Sequence, residues 1–230
     1  MKSLEGKWAL VTGSSRGIGQ QIATGLAGRN CNLVVHGRKP GNTAATVELL
    51  KSSAVQVHAV SGDLSTGEGI QSVIDGVRSG PGHVDILYNN AGIMSAWKPI
   101  LEVTREDFMD IFQVNLFAMI ALCNAFAAEM KQRGFGRIIN LSSGIKDTPH
   151  LTPYGISKAA VDKYTQDLAC ELNATNVLVN YLDPGWLKTD MGGKDANYPV
   201  EDVLPGALVP ALLEDNGPSG QLFAAQDYRV

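Results

Sequence analysis

Tyr154 and Lys158, four residues apart, carry the sharpest chemical signal in this chain. At i and i+4 on a helix, the phenol and the ammonium share one face. A free phenol has a pKa near ~10 and is a poor base at neutral pH. A nearby ammonium favours its anion, so the pair can pass a proton to or from a reacting oxygen. Far upstream, Thr12-Gly13-Ser14-Ser15-Arg16-Gly17-Ile18-Gly19 spaces its glycines as Gly-x-x-x-Gly-x-Gly. Such a turn admits a pyrophosphate to the backbone, and the following helix N-terminus supplies free N–H groups and partial positive charge. With Asn89-Asn90-Ala91-Gly92 and Ser142-Ser143, these stretches point to hydride transfer to or from a nicotinamide, with a tyrosine moving the proton. The blander alternatives are a glycine turn set by sterics alone and a core tyrosine with an amphipathic ring.

The elements that must position these residues are legible as an alternation. Lys7–Thr12, Asn32–His36, Val55–Ser61, Val84–Asn89, Arg137–Leu141 and Asn176–Leu182 read as short apolar strands, and Gly220-Gln221-Leu222-Phe223 as a last one. Helical patterns lie between them: Gly17–Gly28 with Ile18, Ile22 and Leu26 on one stripe, Thr43–Ser52, and Thr66–Arg78. Two long helices follow. Glu106–Gln132 starts after a Thr104 cap with Asp107 three residues on, and Pro153–Leu172 after a Thr152 cap with proline at its first position. Near-continuous apolar strands alternating with helices mean a parallel sheet covered on both faces. The expected fold is a single-domain, Rossmann-type, doubly wound α/β sheet of about seven strands spanning residues 1–230. Every motif above falls after a predicted strand or at the start of the next helix, where such sheets bind ligands.

Composition narrows the class further. The 44% hydrophobic and 18% charged content is that of an ordinary globule. A net charge of −4 argues against nucleic acid or an anionic membrane as partner. No signal-peptide h-region precedes Thr12, and the longest apolar stretch, Leu116 to Ala128, is broken by Asn124 and too short to span a bilayer. Cys31, Cys123 and Cys170 fit neither a disulfide framework nor a zinc site, so the expectation is buried free thiols, a cytoplasmic protein and no metal.

On these residues the chain resembles the short-chain dehydrogenase/reductase family from about Lys7 to Gly220. Thr12–Gly19 matches the family's cofactor turn, Asp63-Leu64 its adenine-flanking pair and Asn89–Gly92 its Asn-Asn-Ala-Gly motif. Tyr154-Gly155-Ile156-Ser157-Lys158 matches its Tyr-x-x-x-Lys, and Pro184-Gly185 with Thr189 its nicotinamide-side loop. The order of motifs, more than any single one, carries the resemblance. It implies a cofactor site built from Gly13, Ser15, Arg16, Gly17, Ile18, Gly19, Asp63, Leu64, Asn90, Ala91, Gly92, Tyr154, Lys158, Pro184, Gly185, Leu187 and Thr189. It implies that Lys158 bonds the nicotinamide ribose. It also makes Asn115 a fourth catalytic member beside Ser143, Tyr154 and Lys158, holding a water in a proton relay toward Lys158. The residues alone say that an amide mid-helix among apolar neighbours needs a partner, which a structural asparagine would also satisfy. Ser143 would hold the substrate oxygen as charge develops on it. Aligning Asn140-Leu141-Ser142-Ser143 on the family's strand end favours Ser143, with Ser142 the competitor.

Cofactor choice rests at the end of the second strand, Val34-Val35-His36-Gly37-Arg38. An acidic residue there would bond the ribose 2′-hydroxyl of NAD. This chain has Gly37 and then Arg38, with Arg16 a second possible phosphate partner, so NADP(H) is expected over NAD(H). The alternative leaves Arg38 stacked on the adenine or facing solvent.

Substrate contacts are expected from residues 93–98, 144–152 and 186–200, with Lys98, Lys146 and Lys188 unplaced and His150 more simply an exposed loop residue. The apolar and aromatic content of these loops suits a carbonyl or secondary alcohol with an apolar body. The leading reading is therefore an NADP(H)-dependent reductase in which Tyr154 protonates the oxygen. A non-catalytic nicotinamide-binding regulator or scaffold with the same fold is the alternative, against which all four catalytic types being present weighs. A dehydratase or epimerase would need a further acid or base. The family resemblance implies a homodimer or homotetramer built on the two long helices.

Overall fold

The computed structural model describes residues 3–145 and 148–229. Lys146 and Asp147 of the expected 144–152 substrate loop lie outside the described residues. Among the described residues, seven strands form one sheet in the order β3-β2-β1-β4-β5-β6-β7, all pairs parallel. The strands are β1 (Trp8–Val11), β2 (Asn32–Gly37), β3 (Val57–Ser61), β4 (Ile86–Asn89), β5 (Gly136–Leu141), β6 (Val177–Asp183) and β7 (Leu222–Ala224). The chain order reverses between β1 and β4, which opens a crevice at their carboxyl ends.

The period of two within each strand sorts side chains onto two cores. Ala9, Val11, Leu33, Val35, Ile86 and Tyr88 meet α1 (Gly17–Ala27) on one face. Leu10, Val34, Leu87 and Ile138 meet α3 (Gly67–Ser79) and α5 (Ala118–Arg133) on the other. A strand buried on both faces has no polar side to show, hence the unbroken apolar runs. The expected α1 stripe is real: Ile22 and Leu26 are fully buried, each contributing on the order of 1.5–3 kcal/mol relative to exposure. The remaining helices are α2 (Ala44–Leu50), α4 (Arg105–Phe112) and α6 (Thr152–Glu171).

Some details differ from the sequence reading. The long helix after Thr104 is not uniform: α4 passes into a π-helical segment, Gln113–Phe117, before α5. A π insertion wedges in an extra residue per turn and is a feature of functional sites; here it carries Asn115. Against the expectation that no stretch could span a bilayer, the run Arg105–Arg133 is long and apolar enough to cross one by length and composition, with mean hydropathy 1.8 over its most apolar window. Half of that window is buried within the protein, as in the core helix of a folded domain. Thr152 is another difference. It is the first residue of α6, not its cap, and its Oγ1 donates to the Pro149 carbonyl at 2.6 Å. The capping box of α4 is present as read, Thr104 and Asp107 bonding each other's backbone N–H. Cys31 and Cys123 are buried free thiols, but Cys170 is exposed because it falls on the outer side of α6.

Candidate active site

The strand ends and the helix starts after them enclose a cleft of about 610 Å³. It runs from Arg38 and Asp63 past the glycine turn to Tyr154, Lys158 and Met191. Its floor is the turn after β1. Gly13 takes φ of 64°, the left-handed region. A Cβ built on Gly19 would fall 2.5 Å from both Asn90 Nδ2 and the Gly13 carbonyl oxygen. The missing side chains let the start of α1 pack directly on the turn and on Asn90, leaving backbone groups at the helix start that would hold a pyrophosphate. Asn90 fastens it, donating Nδ2 to the carbonyls of Thr12 at 2.7 Å and Gly13 at 3.2 Å. Thr12 Oγ1 in turn accepts the N–H groups of Asn90 and Ala91, both at 3.0 Å. The first and third motifs of the chain are thus one hydrogen-bonded unit.

Ser15, Arg16, Gly17, Ile18, Asp63, Leu64, Ala91, Gly92, Pro184 and Thr189 all border the cleft as well. Four expected site residues do not line it. Asn115 lies behind Gly92, Ser143 reaches Tyr154 from the β5 side, Gly185 lies under Gln226, and Leu187 is 2% exposed in the core. Arg16 pairs with Asp190 across the cleft mouth at 2.7 Å, an exposed contact of small net energy.

The proton-handling groups sit where β5, α6 and the π segment meet. Tyr154 and Lys158 are buried on one face of α6. Lys158 Nζ donates to the Leu141 carbonyl at 2.8 Å, and burial pushes its pKa down to about 8, with Asp162 working the other way. The Ser143 hydroxyl, which accepts the Ile145 N–H at 3.3 Å, is close enough to the Tyr154 phenol to lower its pKa. Ser142 Oγ instead donates to Asp162 one helical turn beyond Lys158. The phenol is held above its ordinary value, first by burial and also by the Asp183 carboxylate, with Ser143 pulling it back. The sequence reading had Lys158 lowering it. In the structure burial raises it instead, and the ammonium is committed to Leu141.

Asn115 has the partners its burial demands. Its Oδ1 accepts the Ile93 N–H at 2.8 Å, and its Nδ2 donates to the Ile93 carbonyl at 2.9 Å and to Ser157 Oγ at 3.2 Å. It pins the end of the Asn-Asn-Ala-Gly segment against α6. On the outer side, Trp97 stacks on His150 with centroids 5.1 Å apart, which joins two of the expected substrate loops. A second cavity of about 260 Å³ lies between Ile93–Lys98 and α4 and includes the Lys98–Asp107 ion pair. Ile93, Met94, Ala96, Val103, Ile111 and Pro153 give it the apolar lining expected, beside one charged wall. Sequence reasoning missed His36, Asn42, Gly62 and Ser65 on the cleft wall and Asp183 beside Tyr154. All but Asn42 sit at or just past the carboxyl end of a strand, so scanning every strand end would have found them.

Comparison with known proteins agrees with this geometry. The short chain dehydrogenase family model matches residues 7–198. The chain is 32% identical to a 3-oxoacyl-[acyl-carrier-protein] reductase of Haemophilus influenzae over 97% of this chain and 88% of that protein. It is 36% identical to dehydrogenase/reductase SDR family member 4 of Sus scrofa over 82% of this chain and 68% of that one. A short chain dehydrogenase structure from Pseudomonas syringae superposes with a TM-score of 0.89 at 30% identity, covering 97% and 96% of the two chains. An NADP-bound 3-oxoacyl (acyl-carrier-protein) reductase from Agrobacterium tumefaciens gives 0.85 at 29%, covering 96% and 93%. The chain belongs to the short-chain dehydrogenase/reductase family and is an NAD(P)-dependent oxidoreductase.

Proposed function

We propose that this protein is an NADP(H)-dependent reductase of ketones or aldehydes with an apolar body. The observation that supports it best is that Tyr154 and Lys158 are buried on one face of α6, with Ser143 near the phenol, at the opposite end of the cleft from Arg38. The bound nicotinamide would supply the hydride. Tyr154 keeps its proton at neutral pH because burial disfavours the phenolate, so it serves as the acid that protonates the carbonyl oxygen. Ser143 holds that oxygen and stabilises its developing charge. Lys158 stabilises the tyrosinate left behind and reaches the ribose. Asn115 keeps Gly92 and Ile93 in place beside it. At the other end Arg38 takes the 2′-phosphate, with the Gly37 position carrying no carboxylate to repel it. The relatives whose names denote reductases, and the NADP-bound structure among them, fit this direction and cofactor. Exposed Leu101, Met109 and Phe117 on and beside α4 suit burial in a homodimer or homotetramer.

The test is to titrate NADPH and NADH by fluorescence and then follow reduced-nicotinamide absorbance with a panel of ketones, aldehydes and diketones. NADPH-dependent turnover of a carbonyl supports the reading. Tight binding without turnover across the panel turns it toward a regulator or scaffold, and equal kcat/KM with NADH removes the cofactor assignment.

A further inference from the structure

His36 is the penultimate residue of β2 and is 3% exposed. Its imidazole bridges two walls of the cofactor cleft. Nδ1 accepts the N–H of Gly13 at 3.0 Å, and Nε2 stands 3.0 Å from the carbonyl of Gly62. A backbone N–H can only donate and a carbonyl can only accept, so these partners fix the tautomer: Nδ1 bare, Nε2 protonated. The His36 backbone adds two bonds to the next residue of the same turn, its N–H donating to Ser14 Oγ at 2.9 Å and its carbonyl accepting from Ser14 N–H at 3.0 Å. Gly13 opens the phosphate cradle, and Gly62 precedes the Asp63-Leu64 pair at the adenine end.

We propose that neutral His36 is a positioning residue for the cofactor, an imidazole strut that sets the spacing of the phosphate turn and the adenine wall and fails when it takes a second proton. A protonated Nδ1 would face the Gly13 N–H donor to donor, and Gly13 would turn away or the ring would leave its slot. Burial pushes His36 below the ordinary histidine value, against the bond to Gly62 and the Asp63 carboxylate, which favour the charged ring. Asp63 is held below the usual carboxylate value, by Ser65 first and then by Arg38 and Lys39. Arg38 and Lys39 follow β2, and Arg16 sits in the turn. Glu48 on α2 pairs with Lys51, and Glu68 opens α3.

This rests on the nicotinamide-cofactor reading of the cleft. The experiment measures Kd for NADH between pH 5 and 8 in the wild type and in His36→Gln. NADH lacks the 2′-phosphate, whose own titration near ~6 would intrude. The Gln amide can accept from Gly13 and donate to Gly62 but does not titrate. The expected result is wild-type affinity falling by up to roughly tenfold per pH unit below the histidine's folded pKa, while His36→Gln stays flat. Superimposable profiles overturn the positioning role and leave the oxidoreductase reading standing. A wild type that binds neither NADH nor NADPH overturns both. Should the variant not fold, nitrogen NMR of the wild-type imidazoles reads the same point. Nε2 protonation at pH 7 with a titration displaced downward by NADH supports the strut, and a His36 titration unmoved by NADH overturns it.

Discussion

Lys158 gives its ammonium to the Leu141 carbonyl at 2.8 Å, which holds the charge 5.6 Å from the centre of the Tyr154 ring. The charge is fixed by the end of β5, beside the phenol and on the same side of α6. A lysine free to swing would stabilise water as readily as tyrosinate; one tied to a strand end is already in place when charge develops. Leu141 is also the residue before the two serines, so one strand end sets the lysine, Ser142 and Ser143 together.

The two serines should therefore separate cleanly. Ser143→Ala is expected to lower kcat by roughly 10²–10³-fold with cofactor affinity retained. Ser142→Ala removes a bond to Asp162 and should cost about 1 kcal/mol of stability with a much smaller change in kcat. Steady-state kinetics and thermal melts on both variants decide it, and the reverse pattern would make Ser142 the substrate-holding residue.

Tyr154→Phe keeps the buried ring and deletes the hydroxyl. Turnover should fall by at least about 10²-fold while NADPH titration is nearly unchanged. Activity surviving in this variant would remove Tyr154 as proton donor.

The pH profile should show the lysine. Its pKa of about 8 lies below the ordinary lysine value of 10.5. Reduction needs the ammonium, so kcat/KM should drop as pH rises through about 8. Stability moves the other way. Between that value and 10.5 the unfolded chain holds a proton that the native chain has lost. This group's contribution to stability therefore rises with pH across that window. A kcat/KM profile flat to pH 10 would contradict the buried ammonium's role.

Gly19→Ala puts a methyl where the cradle has no room, 2.5 Å from Asn90 Nδ2 and the Gly13 oxygen. The cost should be about 1–3 kcal/mol in stability, with KM for the cofactor raised and the substrate KM less affected. An unchanged melting temperature and cofactor KM would mean the turn is looser than its hydrogen bonds imply.

Arg38→Ala tests the choice of nicotinamide. KM for NADPH should rise about tenfold or more while that for NADH stays within about twofold. An equal effect on both cofactors would leave Arg38 stacked on the adenine.

The sequence by itself determined the architecture and the cast of the site. Apolar runs of strand length alternating with amphipathic helices admit a parallel sheet clad on both faces. Gly13, Asn90, Tyr154 and Lys158 announce their chemistry by type and spacing, since local periodicity places i and i+4 on one helix face regardless of the rest of the fold. Tertiary structure decided what depends on distance through space. Ser142 turns to Asp162 on α6 while Ser143 approaches Tyr154, and the π segment carries Asn115, which bonds Ile93. The His36 bridge joins residues of β2 to the turn after β1 and the end of β3, 23 and 26 positions apart in the chain. The direction of the Tyr154 shift was likewise beyond reach, because burial is a property of the packed molecule and a sequence names a charge partner without saying how much water remains.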